Sequence, residues 1–283
     1  MNFVNLFWHK SANFGDALSP YLLSKFCKLP INAIKYQPYD AKPLKYILTG
    51  SLLMCDGITN AIIFGAGFVD TKDTFRAFNV KIKGVRGKRT LKKILEHHEE
   101  KIEGKVVIGE PSLCLPHFYK PHTWGGIYAH PKKYKLGIIP HWVDYDRAKE
   151  LYGKEKDTII INMIQRKTES ITSLIQRVIR QICQCEATIS TALHGLIVSV
   201  AYNIPTDWCE FSKGRIIGDG FKYYDFLESI TDIGEGSNII KPIDITENKI
   251  ELDALMKNHR KLKNEKISVR EDIMLSEFIK KWH

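Results

Sequence analysis

No stretch of this chain is long and apolar enough to span a bilayer, and its first ten residues, MNFVNLFWHK, lack a basic leader followed by an apolar run. Those absences predict a soluble, cytoplasmic protein. Cysteine is sparse: of Cys27, Cys55, Cys114, Cys183, Cys185 and Cys209, only Cys183 and Cys185 stand close together, as C-x-C. That spacing supports neither a disulfide framework nor a zinc knuckle, and reduced, buried thiols are expected. His97–His98 is a doublet, and the other histidines lack an i, i+4 pairing with carboxylates, so no metal is expected. The full dinucleotide fingerprint G-x-G-x-x-G is also missing, which disfavours a nicotinamide cofactor. Zinc-finger spacing, an RNP-like aromatic motif and an isolated recognition helix are absent too, and nucleic acid is not an expected partner.

What is present is enough for a sizeable core. The chain has 283 residues, 44% of them hydrophobic, and a net charge of +10 that predicts attraction to anions. Short β-rich runs alternate with helical patterns, the signature of an α/β protein with parallel sheets. Strands are expected near 3–7, 46–49, 61–64, 80–83 and 106–108, then near 135–139, 158–162 and 187–189. Helices are expected over GDALSPYLLSKFCK, KRTLKKILEHH, 146–152, 171–183 and 193–202, with a last helical stretch over 250–281. The Pro-, Gly-, His- and aromatic-rich texture of 116–134 reads as a linker. Two Rossmann-like domains follow, 1–122 and 123–283 with its C-terminal helices. Ligands of such sheets bind beyond the strands' carboxyl ends, here in the cleft between the halves.

The strand-to-helix turns hold the candidates. In LFWHKSANFGDALSP, Asn13, Gly15 and Asp16 open a helix; Asp16 reads either as its N-cap or as a carboxylate facing the cleft. Gly50–Ser51 and Gly65–Ala66–Gly67 end apolar strands and would let backbone amides approach a phosphate or sugar. Arg86, flanked by Gly84 and Gly87, precedes a lysine-rich helix and has the fork that binds carboxylate or phosphate. Glu110 reads as a structural turn residue, with Pro111 at a first helical position. His141 beside Trp142 either faces a sugar or is packed. In ISTALHGLIVSVAYNIP, Ser190 and Thr191 are capping candidates and His194 falls in a first helical turn. Its cationic form is disfavoured there, while the free amides around Leu193 and Gly195 favour an anion.

Four segments in one order, NFGDALSPYLLSKF, GVRGKRTLKKIL with GEPSLCLP, LGIIPHWVDYD, and ISTALHGLIVSVAYNIPTDWCEFS with GDGFKYYDFLESI, resemble the polysaccharide pyruvyl transferase family. The resemblance covers about residues 10 to 230, and S-x-x-L-H-G-L-I-V is its most specific part. Family members often have Asp at the position of Glu110 and Pro at that of Lys88, and some have Arg at that of Ala192. The resemblance implies a GT-B-like fold and transfer of the pyruvyl group of phosphoenolpyruvate onto two hydroxyls of a sugar. The product is a cyclic ketal on a cell-surface polysaccharide or its lipid-linked precursor. Phosphoenolpyruvate is the donor substrate and no cofactor is required. His194 is then the anion ligand or acid, Asp16 a base or acceptor ligand, and Arg86, Asn13, Gly15, Gly67, Leu193, Gly195 and His141 bind substrate.

A nucleotide-sugar-dependent GT-B glycosyltransferase shares the architecture, and a non-catalytic glycan- or phosphate-binding protein shares the anion site. The carboxyl-terminal stretch alternates apolar anchors with Lys257, Arg260, Lys261, Lys263 and Lys266. A solvated basic face is expected there, and a weaker expectation is peripheral contact with anionic lipid at the inner face of the cell membrane.

Overall fold

β1 (Val4–Phe7) feeds helix α1 (Phe14–Phe26), which returns the chain to β2 (Ile31–Ile34) beside it in parallel. The computed structural model describes residues 3–34, 43–98, 105–121, 132–231 and 241–257, without the side chains of 97 and 98. β3 (Lys45–Ile47), β4 (Thr59–Phe64), β5 (Phe78–Val85) and β6 (Val107–Ile108) then add in succession on the other side of β1. The first sheet has the order β2-β1-β3-β4-β5-β6, every pair parallel.

The second sheet repeats the plan. β7 (Tyr134–Ile139) pairs with β8 (Thr158–Ile160) on one side and β9 (Cys185–Ser190) on the other, and β10 (Thr206–Glu210) and β11 (Ile243–Asp244) follow β9. All its pairs are parallel, in the order β11-β10-β9-β7-β8. Numbered from its own first strand, each sheet begins 2-1-3-4-5, a doubly wound order. The α/β, Rossmann-like expectation stands in that form.

Helix α2 (Lys88–His98) follows β5, a 3-10 turn (Pro111–Cys114) and α3 (Leu115–Phe118) follow β6, and α4 (Tyr145–Tyr152) follows β7. In α5 (Ile171–Cys183) the N-cap Ser170 accepts the Ser173 amide, and Leu174, Ile175, Val178, Ile179 and Ile182 make one buried stripe. α6 (Leu193–Ala201), α7 (Phe221–Ile230) and α8 (Leu252–Lys257) complete the described elements.

The largest core cluster belongs to both halves, joining Leu18 and Leu22 of α1 to Leu174 and Val178 of α5 and to Leu196 and Ile197 of α6. Separate clusters cover the far faces of the two sheets, around Ile63 and Ile82 in the first and Ile138 and Ile189 in the second. Two further ties cross between the halves. Asn13 forms an antiparallel bridge with Ile164, and the Phe14 amide donates to the Met163 carbonyl. α7 packs on α2, where Arg89 makes a two-pronged pair with Glu228.

The chain is still helical at Leu115–Phe118, where the linker was expected to start. The boundary after residue 122, and the helical stretch beyond 257 with its basic face, lie outside the described residues. Among the described residues no helix is long and apolar enough to cross a membrane.

Candidate functional site

Each sheet reverses its direction of strand addition once: at β1, between β2 and β3, and at β7, between β8 and β9. Loops leaving the carboxyl ends of two strands at such a point diverge in opposite directions and leave a crevice. Here both crevices open into one cleft of about 360 Å3. His9, Asn13, Gly15 and Asp16 reach it after β1, and Gly50, Ser51, Leu52 and Met54 after β3. The second sheet contributes His141 and Trp142 after β7, and Leu193 and His194 after β9, with Lys222 from the first turn of α7.

Asn13, not Asp16, is the N-cap of α1: its Oδ1 accepts the Gly15 amide at 2.8 Å. Asp16 is therefore left to face the cleft, held by the Ser11 hydroxyl, which donates to Oδ2 at 2.5 Å. Burial raises the Asp16 pKa, against the Ser11 hydrogen bond and the nearby His9. Gly15 is needed for close approach, since a Cβ there would come within 2.3 Å of His194 Nδ1.

The start of α6 differs from the expected capping. Its N-cap is Ala192, whose methyl group cannot accept a hydrogen bond. Ser190 Oγ accepts the Ala192 amide at 3.0 Å, and Thr191 Oγ1 accepts the His141 amide at 2.7 Å. His194 follows on the first turn with its side chain 16% exposed. Burial first, then the charges of Arg86 and Lys222, push its pKa down to about 3. His141 is lowered to about 4, again by burial before Lys222. Both rings are neutral at pH 7, as the expected disfavouring of the cationic form at this helix start implies, so His194 meets a ligand as a neutral hydrogen-bonding group.

Three expected substrate contacts are corrected. Arg86 is 1% exposed and its fork is used internally: Nε donates to Asp225 Oδ2 at 2.9 Å, Nη1 to Ser51 Oγ at 2.8 Å and Nη2 to the Phe68 carbonyl at 2.6 Å. The side chain turned inward because Asp225 of α7 supplies a buried counter-charge. Asp225 also accepts the Thr90 amide and hydroxyl. Gly67 is the slot for that guanidinium, whose Cζ would lie 2.5 Å from a Cβ, and its amide already donates to the Gly50 carbonyl. Gly195 packs on Ser190 and Ile139 and donates its amide to the Ala192 carbonyl. Neither glycine amide is free for an anion.

The sequence reading missed Lys222. Its ammonium donates to the Ile217 carbonyl at 3.3 Å and has no carboxylate partner among the described residues. Burial and Arg86 lower its pKa to about 8, leaving it largely protonated at neutral pH. One signal existed: Lys222 and Asp225 are i and i+3, on one side of α7. Glu110 also gains importance, as a fully buried carboxyl behind His194. Among the described residues no three His, Cys, Asp or Glu side chains converge as a metal site.

No family model matches the sequence. An uncharacterized protein of Acanthamoeba polyphaga mimivirus is 27% identical to this chain over 219 residues, which is 77% of this chain and 71% of that protein. A solved structure of a functionally uncharacterized protein from Klebsiella pneumoniae aligns with a TM-score of 0.44 at 11% identity, over 86% of this chain and 93% of that one.

Proposed function

We propose that this chain is a phosphoenolpyruvate-dependent pyruvyl transferase of GT-B-like architecture, acting in the cleft where the two sheets' switch points meet. The observation that carries the reading is Lys222, a half-buried ammonium without a carboxylate partner among the described residues, set in the same cleft as the raised carboxyl of Asp16. A cation with no carboxylate partner among the described residues, beside a carboxyl whose pKa burial raises, suits a small donor that carries both a carboxylate and a phosphate. Three of the four family-like segments support the same reading, because their loops line this one cleft, while Arg86 of the remaining segment lies behind it.

The donor's carboxylate and phosphate face Lys222, with the uncapped first turn of α6 supplying further donors. The Arg86 charge lies behind, spent on Asp225 but near enough to depress His194 and Lys222. Protonation of the methylene carbon makes C2 electrophilic, one sugar hydroxyl adds to it, phosphate leaves, and a second hydroxyl closes the ketal. Of the two hydroxyl protons, one ends on the new methyl group and one on the departing phosphate. Asp16 is placed to relay a proton between hydroxyl and methylene, while neutral His194 orients the donor. Trp142, 61% exposed beside His141, offers a flat apolar face at the mouth for the acceptor sugar. The acceptor class is a cell-surface glycan or its lipid-linked precursor, met in the cytoplasm or at the inner membrane face.

Incubation with phosphoenolpyruvate and galactose-, glucose- and mannose-type acceptors tests this, with released phosphate and product mass as readouts. Acceptor-dependent phosphate release without any nucleotide is expected. Turnover of a nucleotide-sugar instead would replace the reading with glycosyl transfer. Binding of phosphoenolpyruvate with no product from any acceptor would favour a binding protein.

A further inference from the structure

Glu110 caps the 3-10 turn after β6: Oε2 accepts the Ser112 amide at 2.7 Å, and the carboxyl is wholly buried. Its other oxygen, Oε1, has no hydrogen-bond partner among the described residues. Neither has the ring nitrogen facing it, His194 Nε2, which is 3.9 Å away and likewise enclosed. Two adjacent orphaned polar atoms are costly unless they satisfy one another. The gap closes to hydrogen-bond length with a movement of about 1 Å, and such contacts commonly tighten only when ligand is bound. The opposite ring nitrogen, Nδ1, lies against Gly15 on the cleft side.

We propose that Glu110 is a positioning residue that shares one proton with His194 Nε2 and thereby keeps a hydrogen on Nδ1, directed at the bound donor. A carboxyl donating to a bare Nε2 and a carboxylate accepting from a protonated Nε2 differ only in where that proton sits, O–H breaking as N–H forms. Nδ1 carries its own hydrogen in both forms. The charges acting on the pair are those of Arg86 and Lys222, with Asp16 and His141 across the same cleft. Burial raises Glu110 to about 7, against hydrogen bonding from Ser112 and the Arg86 charge, so the pair keeps its shared proton below that pH. Arg86 from the β5–α2 turn and Lys222 from α7 oppose a second positive charge on the ring. A donor nitrogen suits the phosphate or carboxylate oxygen of the anion, and this assignment of role rests on the pyruvyl transfer reading.

The test is the tautomer of His194, read at pH 6, below the Glu110 pKa, from long-range proton–nitrogen NMR spectra of 15N-labelled protein, with the ring assigned by its loss in His194→Gln. Wild type and Glu110→Gln, whose amide still donates, are expected to show Nδ1 protonated; Glu110→Leu is expected to switch to Nε2–H. A bare Nδ1 in wild type overturns the proposal, as does an unchanged tautomer in Glu110→Leu. If Glu110→Leu fails to fold, the wild-type spectrum alone decides. In turnover, Glu110→Gln should stay within about 3-fold of wild type and Glu110→Leu should lose about 10- to 100-fold in kcat. A wild type inert toward phosphoenolpyruvate would count against the function while leaving the ring spectrum, and hence the proton-sharing pair, to be judged separately.

Discussion

The two halves present the same topological feature to the cleft and fill it with opposite chemistry. The switch point of the first sheet brings a carboxyl, Asp16, with the hydroxyls and amides of Ser11, Asn13 and Ser51 around it. That of the second brings two depressed imidazoles, His141 and His194, and the α7 helix brings the ammonium of Lys222. Topology decides where a crevice forms. In the proposed reading, which half holds the anion and which moves the proton is decided by side chains at the strand ends.

That division is breakable. Asp16→Asn is expected to lower the rate of phosphate release from phosphoenolpyruvate by about 10²- to 10⁴-fold, with donor binding by calorimetry little changed. Equal losses in rate and binding would mean the first half also holds the anion. The joint between the halves should respond next most strongly. Asp225→Ala leaves Arg86 buried without its counter-charge and strips Thr90 of its acceptor, so denaturant unfolding should show a loss of about 3 to 5 kcal/mol. A loss below about 1 kcal/mol would show that the clamp is solvated. Lys222→Met should weaken phosphoenolpyruvate binding by about 10- to 100-fold while the fold is retained, the reverse of the Asp16 variant.

The smallest effect is the pH dependence of binding. In the proposed reading Lys222 binds an anion in its protonated form, and because its pKa is lowered to about 8, affinity is expected to be full below that value and to fall as pH rises through it. Calorimetric titrations between pH 7 and 9.5 should show the decline in wild type and none in Lys222→Met. Stability moves with a different group. Glu110 in the folded chain keeps its proton up to about pH 7, above the usual carboxyl range, so the folded state binds more protons between about 4.5 and 7 and stability falls across that window. Glu110→Gln should flatten that slope.

Much of the scaffold was legible because local rules and packing agreed. The helix over 171–183 is found at those bounds, since its cap, its buried stripe and its length all point the same way. β2, β10 and β11 were not foreseen. β10 is the instructive case: no element is expected over TDWCE, yet it is buried beside β9, where Thr206 Oγ1 accepts from Thr188. A polar residue satisfied by a neighbouring strand cannot be told from one satisfied by water without knowing the neighbour. Arg86 failed for the same reason. Its place at a strand end was read correctly, and its partner 139 positions away was invisible.

The sequence by itself determined the alternating α/β plan, the apolar strands and helical stripes, and the gathering of Asn13, Asp16, His141 and His194 at strand exits, because period and turn chemistry are local. Only the tertiary structure decided that Arg86 faces inward, that Lys222 is the cation of the cleft, and that Glu110 stands behind His194. Charge and proton affinity depend on which distant groups share a buried space, and that is set by how two separately patterned sheets come together.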